Sequence, residues 1–336
     1  MKHLRRLLPA CILVLVLAGC GGGDPGDDEP VLVTIPRGAG SAAIADSLAA
    51  HGVIRQPFFF RVYTRIRGVD RNFRPGVYRL ERRMAWGEVV DRMVAGDVER
   101  TQMVVPEGWA IAHIAPRLAA ITGVDADSLT NALLDTAAAE RYDVPGPNLE
   151  GYLYPATYSF PLGSDLDNIL RLMVDRYRRV WTEQRRARAD AIGMSEQEVV
   201  TLASIVEREA RVWTERDTIA AVYRNRLDIN MRLQADPTVQ YALGEWQSRL
   251  LFAHIDEVAD NPYNTYRHGG LPPGPIGSPS TAAIDAVLDP ADIDYLYFVA
   301  RPDGTHIFTR SNAEHNRARA QVRREAERLR AEREGR

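Results

Sequence analysis

Near the middle of this 336-residue chain stand two glutamates with the makings of a proton donor. The stretch from Val199 to Trp213, VVTLASIVEREARVW, reads as a helix; on a helical wheel Leu202, Ile205, Val206 and Trp213 form one apolar stripe, and Glu209 falls inside it. Glu207, two residues earlier, points well away from that stripe. A carboxyl among apolar side chains loses solvation of its charged form, so its pKa rises and it can keep a proton near neutral pH, as a general acid must. The competing structural reading has Glu209 snorkelling to the helix edge or pairing there with an arginine.

Other chemistries are excluded by what the chain lacks. Lys2 is the only lysine, so a chain shortened at its N-terminus has no residue for a Schiff base. The formal charge is −3 with acids and arginines mixed along most of the chain, which argues against a nucleic-acid partner. The histidines are scattered and no His/Asp/Glu cluster has ligand spacing, so neither a metal nor any other cofactor is expected. Two cysteines, Cys11 and Cys20, give no disulfide framework once the N-terminus is processed.

The elements around the candidate acid imply an α+β chain of more than one domain. Residues 1–19 read as an export signal: Lys2, Arg5 and Arg6 precede an apolar run from Leu7 to Ala18. That run is short for a membrane span, which needs about 20 apolar residues. Leu17-Ala18-Gly19-Cys20 resembles a lipobox, which would make Cys20 a lipid anchor; an uncleaved anchor and an ordinary signal peptide are the alternatives. Residues 20–30 are glycine, acid and proline and read as a flexible tether.

A first folded unit, 31–100, starts with the β-rich Val31 to Ile35 and continues with helices to about Gly52 and from Pro57 to Gly68. A strand near 73–80 and a helix from Trp86 to Ala95 complete it. Pro36, Gly38, Ile44, Ala45 and Leu48 recur in the same spacing as Pro106, Gly108, Ile114, Ala115 and Leu118, which reads as a repeated strand, turn and helix.

Residues 101–316 form the second unit. Helical patterns cover 125–143, 165–192 and 218–227. The aromatic segment Leu149 to Tyr158 suits either a loop stacking on sugar faces or plain core packing. Asp236 before Pro237 caps a helix or, alternatively, faces a substrate. Asn261 to Tyr266 and Gly269 to Gly277 make one long Gly/Pro-rich loop, of a length that is functional or disordered, and its polar and aromatic content favours a functional one. Tyr295 to Ala300 and His306 to Thr309, joined by Arg301-Pro302-Asp303-Gly304, read as a β-hairpin. Residues 317–336 belong to a charged C-terminal helix.

Together these pieces resemble the YceG-like, or MltG, family of endolytic murein transglycosylases. The matching motifs are LASIVERE (202–209), EGYLYPATY (150–158), NRLDINMRL (225–233), QADPT (234–238), YNTY (263–266), GLPPGP (270–275), YLYFVA (295–300) and His315-Asn316. The resemblance implies a small LysM-like α/β domain followed by an α-rich, lysozyme-like catalytic domain with a short β-hairpin. It also implies cleavage of the β-1,4 MurNAc-GlcNAc bond of peptidoglycan to leave 1,6-anhydro-MurNAc ends. Its catalytic glutamate maps to Glu209, with Glu207 as the fallback. Asn225, Gln234, Asp236, Tyr263, Asn264 and Tyr266 become candidates for holding the sugars.

The implied partners are peptidoglycan glycan strands, with cell-wall synthases beside them. The implied location is the bacterial inner (plasma) membrane, anchored at the N-terminus with the catalytic domain on the periplasmic or extracytoplasmic side. A non-catalytic peptidoglycan-binding scaffold is the alternative. An aminodeoxychorismate lyase activity, which needs pyridoxal phosphate, conflicts with the missing lysines.

Overall fold

The computed structural model describes residues 29–334. The expected signal peptide (1–19), the lipobox Cys20 and residues 20–28 of the tether lie outside them. The chain divides into two compact units, one ending at Thr101 but reclaiming Ser159–Ser164, the other made of Gln102–Tyr158 and everything from Asp165 onward. The return of residues 159–164 to the first unit carries no sign in the local pattern, because hydrophobic periodicity reports which face is buried and not against what. Among the described residues no helix is long and apolar enough to cross a membrane.

The first unit runs β1 (Val31–Ile35), α1 (Ser41–Ala50), α2 (Pro57–Ile66), β2 (Gly76–Leu80) and α3 (Trp86–Ala95). β1 and β2 pair antiparallel with Val33 opposite Tyr78 and Ile35 opposite Gly76. Alternation then sends Val33, Ile35, Tyr78 and Leu80 to one face, where they meet Ile44, Leu48, Phe60, Val89 and Met93 in a closed core. The Tyr78 hydroxyl donates to the carbonyl of Arg74 at 2.6 Å, which removes the cost of burying it.

The second unit is mostly helical. β3 (Arg100–Val105) pairs with β4 (Ala156–Pro161), and the division between the units falls within both strands. Between them lie α4 (Ile111–Thr122), α5 (Ala126–Leu133) and α6 (Thr136–Tyr142). Then come α7 (Leu166–Val180), α8 (Glu183–Ala191), α9 (Glu196–Glu209), α10 (Arg216–Asp228), α11 (Asp236–Leu243), α12 (Phe252–Glu257) and α13 (Thr281–Leu288). The chain ends with the antiparallel hairpin β5 (Tyr297–Ala300) and β6 (His306–Thr309), followed by α14 (Asn312–Glu334).

Two expected long helices are each broken in two, and in both a side-chain cap makes the break. Asp135 accepts from the amide of Ala137 and starts α6; Thr182 accepts from the amide of Arg185 and starts α8. The repeated strand, turn and helix is real in the backbone. Gly38 and Gly108 both take left-handed φ, at 75° and 74°, a conformation costly for residues with a Cβ. Ile44, Ala45 and Leu48 are buried in α1 as Ile114, Ala115 and Leu118 are in α4.

Candidate active site

The site is organised by α9. Ser195 and Glu198 form a reciprocal capping box at its start, as the Ser-x-x-Glu spacing allows. Every residue from Val199 to Val206 is buried. A helix apolar on all sides belongs at a core centre, and α8, α10, α11 and α13 surround this one. Its two hydroxyls are satisfied: Thr201 donates to the carbonyl of Gln197 at 2.7 Å, and Ser204 donates to that of Thr201 and accepts from the amide of Ile276 at 3.0 Å. The second contact ties the Gly/Pro-rich segment against α9. Residues 274–280 are accordingly buried, so the last part of this expected functional loop is core wall, while residues 267–270 are exposed.

α9 ends at Glu209, where Ala210 turns extended with ψ 96°. Trp213 therefore lies beyond the helix, is 74% exposed and leaves the apolar stripe that the sequence assigned to it. Glu209 keeps its setting without it. It is partly exposed, and the hydroxyl of Tyr223 on α10 donates to its Oε1 at 2.8 Å. Burial pushes its pKa up to about 7; the Tyr223 hydrogen bond opposes this, the charge of Asp236 adds to it, and Arg226 and Arg211 pull it back. The negative end of the α9 dipole also disfavours a carboxylate there.

Glu207 is committed elsewhere. Its side chain is 6% exposed, Arg216 donates to Oε1 at 2.8 Å, and Oε2 accepts from both the amide (3.0 Å) and the hydroxyl of Ser280, the cap of α13. A third carboxyl, Glu150, also sits near 7 because it is buried. It is sealed, at 1% exposure, with both oxygens accepting the amide of Ile111 at the start of α4 and Oε2 accepting Tyr241 at 3.3 Å. Of the two carboxyls pushed up to about 7, Glu150 is sealed and Glu209 belongs to a partly exposed residue. Exposure decides between them, because burial raises both to the same value.

The other expected site residues divide. Asp236 and Gln234 are exposed, and Tyr266 donates to Asp236 Oδ1 at 2.5 Å. The structure gathers Asp236, Tyr266, Tyr223 and Arg226 around Glu209, each of them acting on its charge or on that of its partner. Gln234 holds φ 48°, a conformation unusual for a residue with a side chain, beside the Thr265 carbonyl that its amide donates to. Tyr263 packs instead on Tyr241, with ring centroids 4.8 Å apart, on the Glu150 side.

Asn225 and Asn264 are structural pins. Asn225 Nδ2 donates to the carbonyls of Ile293 and Tyr295, at 2.9 and 3.0 Å. Asn264 is fully buried; its Nδ2 donates to Ile255 and Val258 and its Oδ1 accepts from the amide of Tyr266. In Asn225→Ala and Asn264→Ala, chemical denaturation should show a loss of about 1–3 kcal/mol each, with KM of the folded enzyme unchanged. A raised KM without destabilisation would return either residue to the sugar site. In the aromatic segment, Tyr152 and Tyr158 are buried too, and Tyr152 packs edge-on against Tyr177. Of the two readings of that segment, core packing is the one realised by these rings.

Tyr223 is not among the site residues that the sequence suggested. The signal was there: a tyrosine on a buried stripe must find a partner for its hydroxyl. Arg226 is likewise buried, spending its guanidinium on the carbonyls of Leu296 and Leu233 at 2.7 and 2.5 Å. A cleft of about 660 Å3 is lined by Arg188, Trp213, Thr214, Arg216 and Asp217 among others, and neither Glu209 nor Asp236 lines it.

The family model for the YceG-like family matches residues 33–321. An endolytic murein transglycosylase of Bacillus subtilis (strain 168) is 33% identical over 306 residues, covering 86% of this chain and 84% of its own length. One from Streptococcus pneumoniae (strain ATCC BAA-255 / R6) is 26% identical over 94% of this chain, which spans 65% of that longer protein. Among solved structures, a yceG-like protein from Listeria monocytogenes is 32% identical and superposes with a TM-score of 0.59, covering 86% of this chain and 99% of its own.

Proposed function

The chain belongs to the YceG-like family, and from that premise we infer that it is an endolytic murein transglycosylase, a lyase that cuts peptidoglycan glycan strands. The observation that carries a mechanism is the partly buried Glu209, its pKa pushed up to about 7, with Asp236 and Tyr266 beside it. Protonated Glu209 donates to the glycosidic oxygen between MurNAc and GlcNAc as the bond breaks. As a carboxylate it then takes the proton of the muramyl C6 hydroxyl, whose oxygen attacks C1 and closes the 1,6-anhydro ring. The nucleophile belongs to the substrate, so a single acid suffices where hydrolases use two carboxyls.

In this reading Gln234, Asp236 and Tyr266 face the sugars and Tyr223 holds the Glu209 carboxyl in place. The β-α-α-β order of residues 31–80 supports a LysM-like first unit, and the buried helix ending in the acid supports a lysozyme-like second one. The apolar run 7–18 and Cys20 support attachment to the inner membrane with the enzyme on its outer side. Nascent strands beside cell-wall synthases are the substrate pool this placement offers.

The test is mass spectrometry of muropeptides released by the chain starting near Val31. Anhydro-muramyl ends are expected. Reducing ends would make it a hydrolase with Asp236 as a second carboxylate, and no products from a folded protein would favour the scaffold reading. The rate should fall about tenfold per pH unit above about 7, as the acid loses its proton. Because the Asp236 charge raises the Glu209 pKa, Asp236→Asn should move this alkaline limb to lower pH. An unmoved limb would mean that another group sets it.

A further inference from the structure

We propose that α2 of the first unit is a membrane-docking helix, which lays its exposed Phe58, Phe59, Val62 and Ile66 into an anionic phospholipid surface with arginines at its flank. These four side chains are 66, 57, 41 and 81% exposed. On a helical wheel they fall within one arc of about 100°. The opposite side carries Phe60 and Thr64, each 1% exposed, into the core of the unit. The core thus needs only one face of α2. Leaving four large apolar groups on the other face costs solubility unless something covers them.

Charge selects the occupant. From Gly52 to Val69 the sequence has no carboxylate but has Arg55, Arg61, Arg65 and Arg67, all exposed, in a chain whose overall charge is −3. Arg67 is engaged by Tyr63 and Asp91; Arg55, Arg61 and Arg65 form no ion pair among the described residues. Arg61 and Arg65 lie beside the apolar arc on the wheel. Apolar aromatics without polar tips, flanked by free guanidinium groups, match acyl chains below a layer of phosphates. They offer little to a glycan, which needs acceptors and donors beside the rings.

The sequence between Cys20 and Val31 can span at most about 40 Å, so a lipid on Cys20 would keep this helix within reach of the same surface. The docking does not depend on that anchor. The test uses a chain starting at Glu29, which has every residue of both cores and lacks the apolar run, so failure of the anchoring reading and failure of this one are separable.

That chain is floated on density gradients with vesicles of phosphatidylglycerol and phosphatidylethanolamine, or of phosphatidylcholine alone. Binding to the anionic vesicles is expected, weaker by at least about tenfold on neutral ones or at high salt. Phe58→Ser/Ile66→Ser, and separately Arg61→Gln/Arg65→Gln, should each lose at least about tenfold in partitioning. Their melting and their release of muropeptides from isolated peptidoglycan should stay unchanged. No binding by the parent chain, or equal binding by the variants, would overturn the proposal. So would a dimer in sedimentation that the Phe58/Ile66 variant abolishes, which would assign the face to a second copy. Loss of muropeptide release in that variant would assign it to the glycan.

Discussion

Glu209→Gln should release anhydro-muramyl products at least about a thousandfold more slowly than the parent enzyme, because one side chain serves first as acid and then as base. The same variant should be the more stable protein at neutral and alkaline pH. The Glu209 pKa is raised from 4.5 to about 7, so the folded state keeps a proton that the unfolded chain has already released. Stability contributed by this group is therefore full below about pH 4.5 and falls as pH rises towards 7. Across that window the variant should gain on the parent by up to about 3 kcal/mol, with a plateau above it. Thermal unfolding at pH 5 and pH 8 measures this, and muropeptide analysis measures the rate. Unchanged product formation would remove Glu209 as the acid. A loss of activity with no pH-dependent gain would mean that its carboxyl is ordinary in the folded protein and that catalysis does not rely on a raised pKa.

The second large effect is structural. In Arg216→Ala the Glu207 carboxylate, 6% exposed, retains only the Ser280 amide and hydroxyl as partners. A buried charge stripped of its counter-ion costs about 3–5 kcal/mol, which corresponds to a fall in melting temperature on the order of 10 °C for a unit of this size. Glu207→Gln/Arg216→Met, which removes both charges, should recover most of the loss. The comparison tests the roles assigned to neighbouring glutamates. A change below about 1 kcal/mol in Arg216→Ala would mean that water reaches Glu207 freely and would reopen it as a proton donor.

The two glutamates show how much was legible without coordinates. On the helical wheel Glu209 shares the apolar stripe and Glu207 does not, but α9 is buried on every side and the Glu207 side chain is only 6% exposed, so the stripe did not separate the two by burial. The stripe itself was partly mistaken, since Trp213 stands outside the helix. Helix ends depend on capping and on the chain that follows, which periodicity does not encode. The strand at 31–35, the helix from Trp86 to Ala95 and the hairpin around Asp303 were legible for a local reason. Alternation, caps and turn residues act over a few positions, and tertiary forces agree with them there. The breaks at Asp135 and Thr182 were equally local, and the Asp and Thr caps were visible signals that long helical patterns obscured.

By itself, then, the sequence determined the order of elements, the family motifs, the absence of a lysine after Lys2 and the helix that bears the proposed acid. Tertiary structure alone decided which polar residues are free to meet a substrate. Glu150, Glu207, Asn225 and Asn264 are as polar as Glu209 and Asp236, and each is consumed by a partner on another element or in a loop: the amide of Ile111, Arg216 and Ser280, the carbonyl of Ile293, and the carbonyl of Ile255 respectively. Buried polar groups must be hydrogen-bonded, and the partners of Glu150 and Asn225, like Ser280 for Glu207, come from far along the chain. Which carboxyl is left without an ion pair or a backbone partner is therefore a property of packing, and no spacing along the chain contains it.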